Sequence, residues 1–78
     1  MSLLVVKAAF DREAGVWCVS DSDVPGLATE ASSFDLLCMK VEVMVAELLE
    51  LNGWSDGREV AIEIIAHSTS KIQFAAPC

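Results

Sequence analysis

A single amphipathic stretch in the middle of the chain limits the folds open to it. Phe34, Leu37, Cys38, Val41, Val45, Leu48 and Leu49 recur at spacings of three and four, so a helix from about Phe34 to Leu51 gathers them on one face. Ser32 and Ser33 precede it, and either hydroxyl can accept from the first free amides. Asp35 adds a favourable negative charge in the first turn. Asn52-Gly53 ends the helix, with Gly53 as the left-handed cap and Trp54 placed for the accompanying apolar contact. A helix with one apolar face must lie on something, and in 78 residues there is room for one core only.

The surface beneath it comes from short apolar runs. Residues 3–10, Leu-Leu-Val-Val-Lys-Ala-Ala-Phe, read as a buried strand. Asp11 to Gly15 supplies turn chemistry, and Val16 to Ser20 resumes as the second strand of a hairpin. Ser20 to Asp23 is polar. Pro25-Gly26 then forms the central pair of a type II turn, because proline presets φ and glycine accepts a positive one. Leu27 to Ala31 is expected as a third strand. After the helix and a loop over residues 54–58, Val60 to Ala66 reads as a fourth strand with Val60, Ile62, Ile64 and Ala66 inward. Residues 71–74 fit either a fifth short strand or a tail.

The order is β-β-β-α-β, an α+β two-layer fold with a mostly antiparallel sheet and one helix on one face. A right-handed crossover should carry the fourth strand parallel to a meander strand, and the first is its expected neighbour. That gives a sheet order of 3-2-1-4.

Charge and composition narrow the function. The 54% apolar share exceeds the usual ~45–50% of globular domains, which rules out intrinsic disorder. Twelve acidic residues face five basic ones, a formal charge of −7, and no two basic residues lie closer than five apart. Nucleic-acid backbones are bound by clustered Lys and Arg, so direct nucleic-acid binding is not expected. An acidic domain is better suited to a basic protein partner. Lys7 interrupts the first apolar run and no stretch reaches ~18 apolar residues, so neither a signal peptide nor a membrane span is expected. Cys18, Cys38 and Cys78 are odd in number and lack CxxC spacing, which reads as reduced, structural cysteine in a cytoplasmic protein.

Few residues invite chemistry. His67 is the single histidine, and Ser68 and Ser70 lie near it in sequence. Adjacency is not a triad, since a catalytic histidine needs a nucleophile or substrate in reach and a group to orient it. A Cys18–His67 thiol site would need both at one electropositive, exposed locus, which a charge of −7 opposes. Asp11/Glu13 and Asp21/Asp23 lie in turns, where aspartate usually bonds its own backbone, and neither pair fits a calcium loop. No catalytic residue, cofactor or metal is assigned. One feature of the helix stands apart. At 100° per residue Leu36, Met39 and Val43 fall away from the sheet, forming an apolar stripe at i, i+3 and i+7. Scattered exposed apolar residues are ordinary, but a stripe on so short a chain is a candidate partner-binding surface.

The linear pattern resembles a known family. Asp11, Glu13, Gly15 and Trp17, then Asp23-Val24-Pro25-Gly26-Leu27, then Thr29-Glu30-Ala31 before a Ser-capped helix, are similar to the HicB-like antitoxin domain. Glu47 to Gly53 and Ala66-His67 resemble a branch of short bacterial domains of this kind without a DNA-binding segment. The resemblance implies a reduced ribonuclease H-like β-β-β-α-β fold. It implies no nuclease activity, because residues 3–10 lack the metal-holding carboxylates of that chemistry. It also implies a HicA-like toxin, small, basic and RNA-cleaving, as partner. A helix-turn-helix or ribbon-helix-helix segment is not expected, so operator binding is not implied.

The expectation is therefore a non-enzymatic, antitoxin-like protein-binding domain that forms homo-oligomers. The alternative is a homodimer built on the outer stripe, with no toxin partner.

Overall fold

The computed structural model describes residues 2–53, 57 and 59–76. It contains β1 (Ser2–Asp11), β2 (Val16–Ser22), β3 (Glu30–Ala31), α1 (Phe34–Leu51) and β4 (Val60–His67). The sheet order is β3-β2-β1-β4, with β1 antiparallel to β2 and parallel to β4. Both the architecture and the strand order match the sequence expectation. No helix among the described residues is long and apolar enough to cross a membrane.

Local chemistry builds the hairpin. Asp11 Oδ1 accepts from the amides of Glu13 at 3.0 Å and Ala14 at 3.2 Å. Gly15, at φ +69°, donates its amide to the Asp11 carbonyl at 2.8 Å. A positive φ at this closing position is what glycine tolerates without penalty. Along the hairpin, Lys7 pairs with Asp21 but Ala8 pairs with Val19, so Ser20 is the extra residue of a β-bulge. Its hydroxyl donates to the Lys7 carbonyl at 3.1 Å, and β2 therefore runs on to Ser22.

The core is one layer of contact between α1 and the sheet. Val6 and Ala8 of β1 lie beneath Leu37, Val41 and Val45, with Val24, Leu27 and Ala31 closing the side nearest β3. An aromatic chain joins three elements: Phe10 and Trp17, then Trp17 and Phe34, each pair with ring centroids 5.5 Å apart. Their tilted and edge-on geometries are the favourable ones for aromatic quadrupoles.

Four features differ from, or decide between, the sequence expectations. The third strand is only Glu30–Ala31, because Val24 and Leu27 on either side of the Pro25-Gly26 turn both point into the core. Pairing with β2 is already under way at Thr29, whose carbonyl accepts from Val19 at 3.2 Å. Ala66 keeps the inward register but is exposed, since α1 leans toward β3 and leaves the end of β4 uncovered. Residues 71–74 form no strand in this chain. Ser33 is the N-cap, its hydroxyl accepting from Leu36 at 3.2 Å. The expected Trp54 contact and Cys78 lie outside the described residues.

Adjacent helix positions on opposite faces test this packing. Leu37→Ala should lower unfolding free energy by about 2–5 kcal/mol, the range for a buried leucine. Leu36→Ala should stay within about 0.5 kcal/mol. At the cap, Ser33→Ala should cost about 1 kcal/mol while Ser32→Ala is near neutral. Urea unfolding midpoints read all four; equal losses at Leu36 and Leu37 would contradict the orientation of α1.

Candidate functional site

The outer face of α1 carries the stripe. Leu36, Met39 and Val43 are 47%, 64% and 60% exposed. They do not stand on a plain convex helix. With Met44 and the Thr29–Ser32 segment they line an open groove of about 610 Å³ between α1 and the free edge of β3. The wall supplied by β3 escaped the sequence reading, because it depends on which side of the sheet the helix overhangs. The available signal was Met44, one residue after the stripe.

Two charges punctuate the groove. Lys40 Nζ donates to the Glu30 carbonyl at 2.8 Å, so a lysine occupies the outward acceptor of the edge strand, a common way of blunting an edge. Glu47 lines the groove further along α1. Residues 34–51 carry four acidic side chains, Asp35, Glu42, Glu47 and Glu50, against Lys40. All five are exposed; the groove's own lining carries one charge of each sign, Lys40 and Glu47, on a chain whose formal charge is −7.

A smaller recess of about 230 Å³ opens on the other flank of α1, toward β4. Val45, Leu49, Val60 and Ile62 line it, with Glu42 and Glu50 at its rim.

The residues weighed for chemistry are dispersed. Ala9 pairs with Cys18 on one side and His67 on the other, so the three share one rung of the outward sheet face. Two strand spacings put the Cys18 and His67 backbones about 10 Å apart, with an alanine between. Cys18 Sγ instead donates to the Ala9 carbonyl at 3.6 Å. Ser70 Oγ accepts from Arg12 Nη2 at 3.0 Å. Among the carboxylates, Asp11 holds its turn, as expected. Asp21 accepts from the next amide, Ser22, at 3.0 Å. Asp23 does something different: its Oδ2 accepts from Val5 of β1 at 2.9 Å, while its amide donates to the Val5 carbonyl at 3.0 Å. It thereby extends the β1–β2 pairing past the end of β2. Among the described residues, no three His, Cys, Asp or Glu side chains gather as a metal site would need.

Cys38, half-buried on α1, has its thiol pushed above the ordinary value. Burial is the first cause, and the Asp35 and Glu42 carboxylates add to it. Both effects disfavour a thiolate.

A family model described as "Domain of unknown function (DUF1902)" matches residues 3–76. Among solved structures, the hypothetical protein TTHA1013 from the extremely thermophilic bacterium Thermus thermophilus is similar. It is 46% identical with a TM-score of 0.66, over 92% of this chain and 99% of that one. No curated protein matches.

The raised thiol is open to measurement. Iodoacetamide labelling of Cys38, followed by peptide mass spectrometry across pH 7–10, should show a midpoint above that of free cysteine, ~8.5. A midpoint at or below the free value would contradict the burial and charge surroundings assigned to it.

Proposed function

The chain belongs to the DUF1902 family, and from that premise we propose a non-enzymatic, antitoxin-like protein-binding domain that masks a small, basic, RNA-cleaving protein. The observation that carries the reading is the exposed apolar groove between α1 and β3 on a chain of formal charge −7. Leu36, Met39 and Val43 supply the contact area. Completing the burial of such side chains contributes up to about 1.5–3 kcal/mol each. The net charge of −7 would speed encounter with a cationic surface and disfavour anionic competitors. Masking asks nothing else of the domain, because an RNA-cleaving surface is silenced once RNA is sterically excluded from it.

The HicB-like pattern at Asp11, Glu13, Gly15, Trp17 and residues 23–27 supports the same reading. So does the charge: at −7 per chain, closing two copies through their acidic helices brings like charges together. A basic partner gains from the same field. The stripe-to-stripe homodimer is therefore the second reading.

Co-expression with any small basic protein encoded by an adjacent gene tests it. The two should co-purify, and RNA cleavage by the partner should stop at one equivalent. Val43→Glu should weaken the complex at least tenfold, with the urea midpoint of the free domain unchanged. No co-purification, together with undiminished toxicity of the neighbour, would refute the masking role.

A further inference from the structure

Residues 68–76 leave the domain uncovered. Ile72 and Phe74 are 80% and 87% exposed. The molecule measures 67 Å along its longest axis against 24 and 19 Å across. A ten-residue strand spans only about 33 Å, so the long axis includes a drawn-out tail. The root of the tail is held: Arg12 Nη2, from the loop between β1 and β2, donates to the Thr69 carbonyl and Ser70 Oγ, both at 3.0 Å. These contacts fix Thr69 and Ser70 against the β1–β2 loop.

The other observation is the free edge of β4. This strand pairs with β1 on one side and with no described strand on the other. A long apolar edge is a template that folded proteins rarely leave open. The opposite edge is different, since β3 is two residues long and Lys40 occupies its outward carbonyl at Glu30. Beside β4 lies the recess of Val45, Leu49, Val60 and Ile62.

Charge matches the two. All twelve acidic residues precede residue 68, and Lys71 is the one charged side chain of residues 68–76. The tail is thus a short, apolar, cationic strand. The edge it would meet belongs to an acidic body.

We propose that residues 68–76 of one copy add as an antiparallel strand to the free edge of β4 in a second copy, with the exchange made reciprocally. Nine tail residues suit the eight of β4. A two-fold axis near Ser68 makes the exchange self-complementary, and strand addition draws its affinity from backbone hydrogen bonds. Opposed residues in an antiparallel pair share a face. Ile72 and Phe74 can then lie beside Ile64 and Ile62, which brings Phe74 to the recess, and Lys71 falls on the other face with Glu63. The inference needs neither the groove beside β3 nor a toxin, so it stands or falls apart from the masking role.

Sedimentation equilibrium of the full chain should give the mass of two copies, and alternate amides within residues 71–76 should be protected from hydrogen exchange until dilution dissociates them. I72E/F74E should sediment as one copy, with association at least a hundredfold weaker and the helical circular dichroism signal retained. Val43→Glu should remain two copies. A wild-type chain that sediments as one copy, an unprotected tail in a dimer, or a dimer surviving I72E/F74E would each overturn the exchange. Should I72E/F74E fail to fold, hydrogen exchange on the wild-type tail decides alone.

Discussion

Everything here depends on one helix having to cover a sheet wider than itself. Four strands spaced about 4.8 Å apart span roughly 14 Å between outer backbones, whereas a helix with its side chains is about 10–12 Å across. Leu37, Val41 and Val45 therefore cannot bury all the inward residues at once. The turn at residues 24–27 decides which strand goes short. Val24 and Leu27 are buried on the β3 side, and the Phe10–Trp17–Phe34 chain ties the helix start to β1 and β2. The helix is held over that side, so the uncovered strip falls at β4. Ala66 shows the consequence: its partner Ala8 is fully buried while Ala66 itself is exposed.

This geometry explains which parts were legible in the sequence. The helix bounds could be read because periodicity, an N-capping serine and an Asn-Gly stop are all local signals. The strand order followed from chain connectivity and the crossover rule. Strand three was overextended because Leu27 looks the same in sequence whether it points into a sheet or dives beneath a helix. Asp23 has the local signature of a turn former, and its bond to Val5 is invisible to any local rule, since the partner lies eighteen residues away. The stripe of Leu36, Met39 and Val43 was legible by helical phase, but its setting was not. A groove needs two walls, and the second is contributed by an edge strand whose position relative to α1 is a tertiary fact.

The polar residues follow a similar division. Asp11, Asp21 and Asp23 accept from backbone amides, and Ser20, Ser22 and Ser33 make short hydrogen bonds to backbone groups, so the turns and cap absorb much of the polar chemistry. Glu42, Glu47 and Glu50 make the helix surface negative. Cys18 and His67 share a rung yet face each other across Ala9, with the thiol engaged by the backbone. Long-range charge and uncovered apolar area are what these placements leave available among the described residues, and the proposed masking role draws on both.

The two uncovered apolar sites lie at opposite edges of the sheet, the groove beside β3 and the recess beside β4. Because β2 and β1 separate them, filling one does not obstruct the other. Their surroundings also select different occupants. The groove offers apolar side-chain area, with its outward carbonyl already taken by Lys40. That favours a partner docking by shape and charge. The β4 edge offers a row of backbone groups instead, which favours an extended strand whatever its sequence, with the recess choosing its apolar residues. Two copies joined at β4 would carry two grooves on their far edges, and a partner with two cationic faces would then gain the effective concentration of a tethered second site. Strand exchange at one edge would thus strengthen binding at the other without any contact between the two sites.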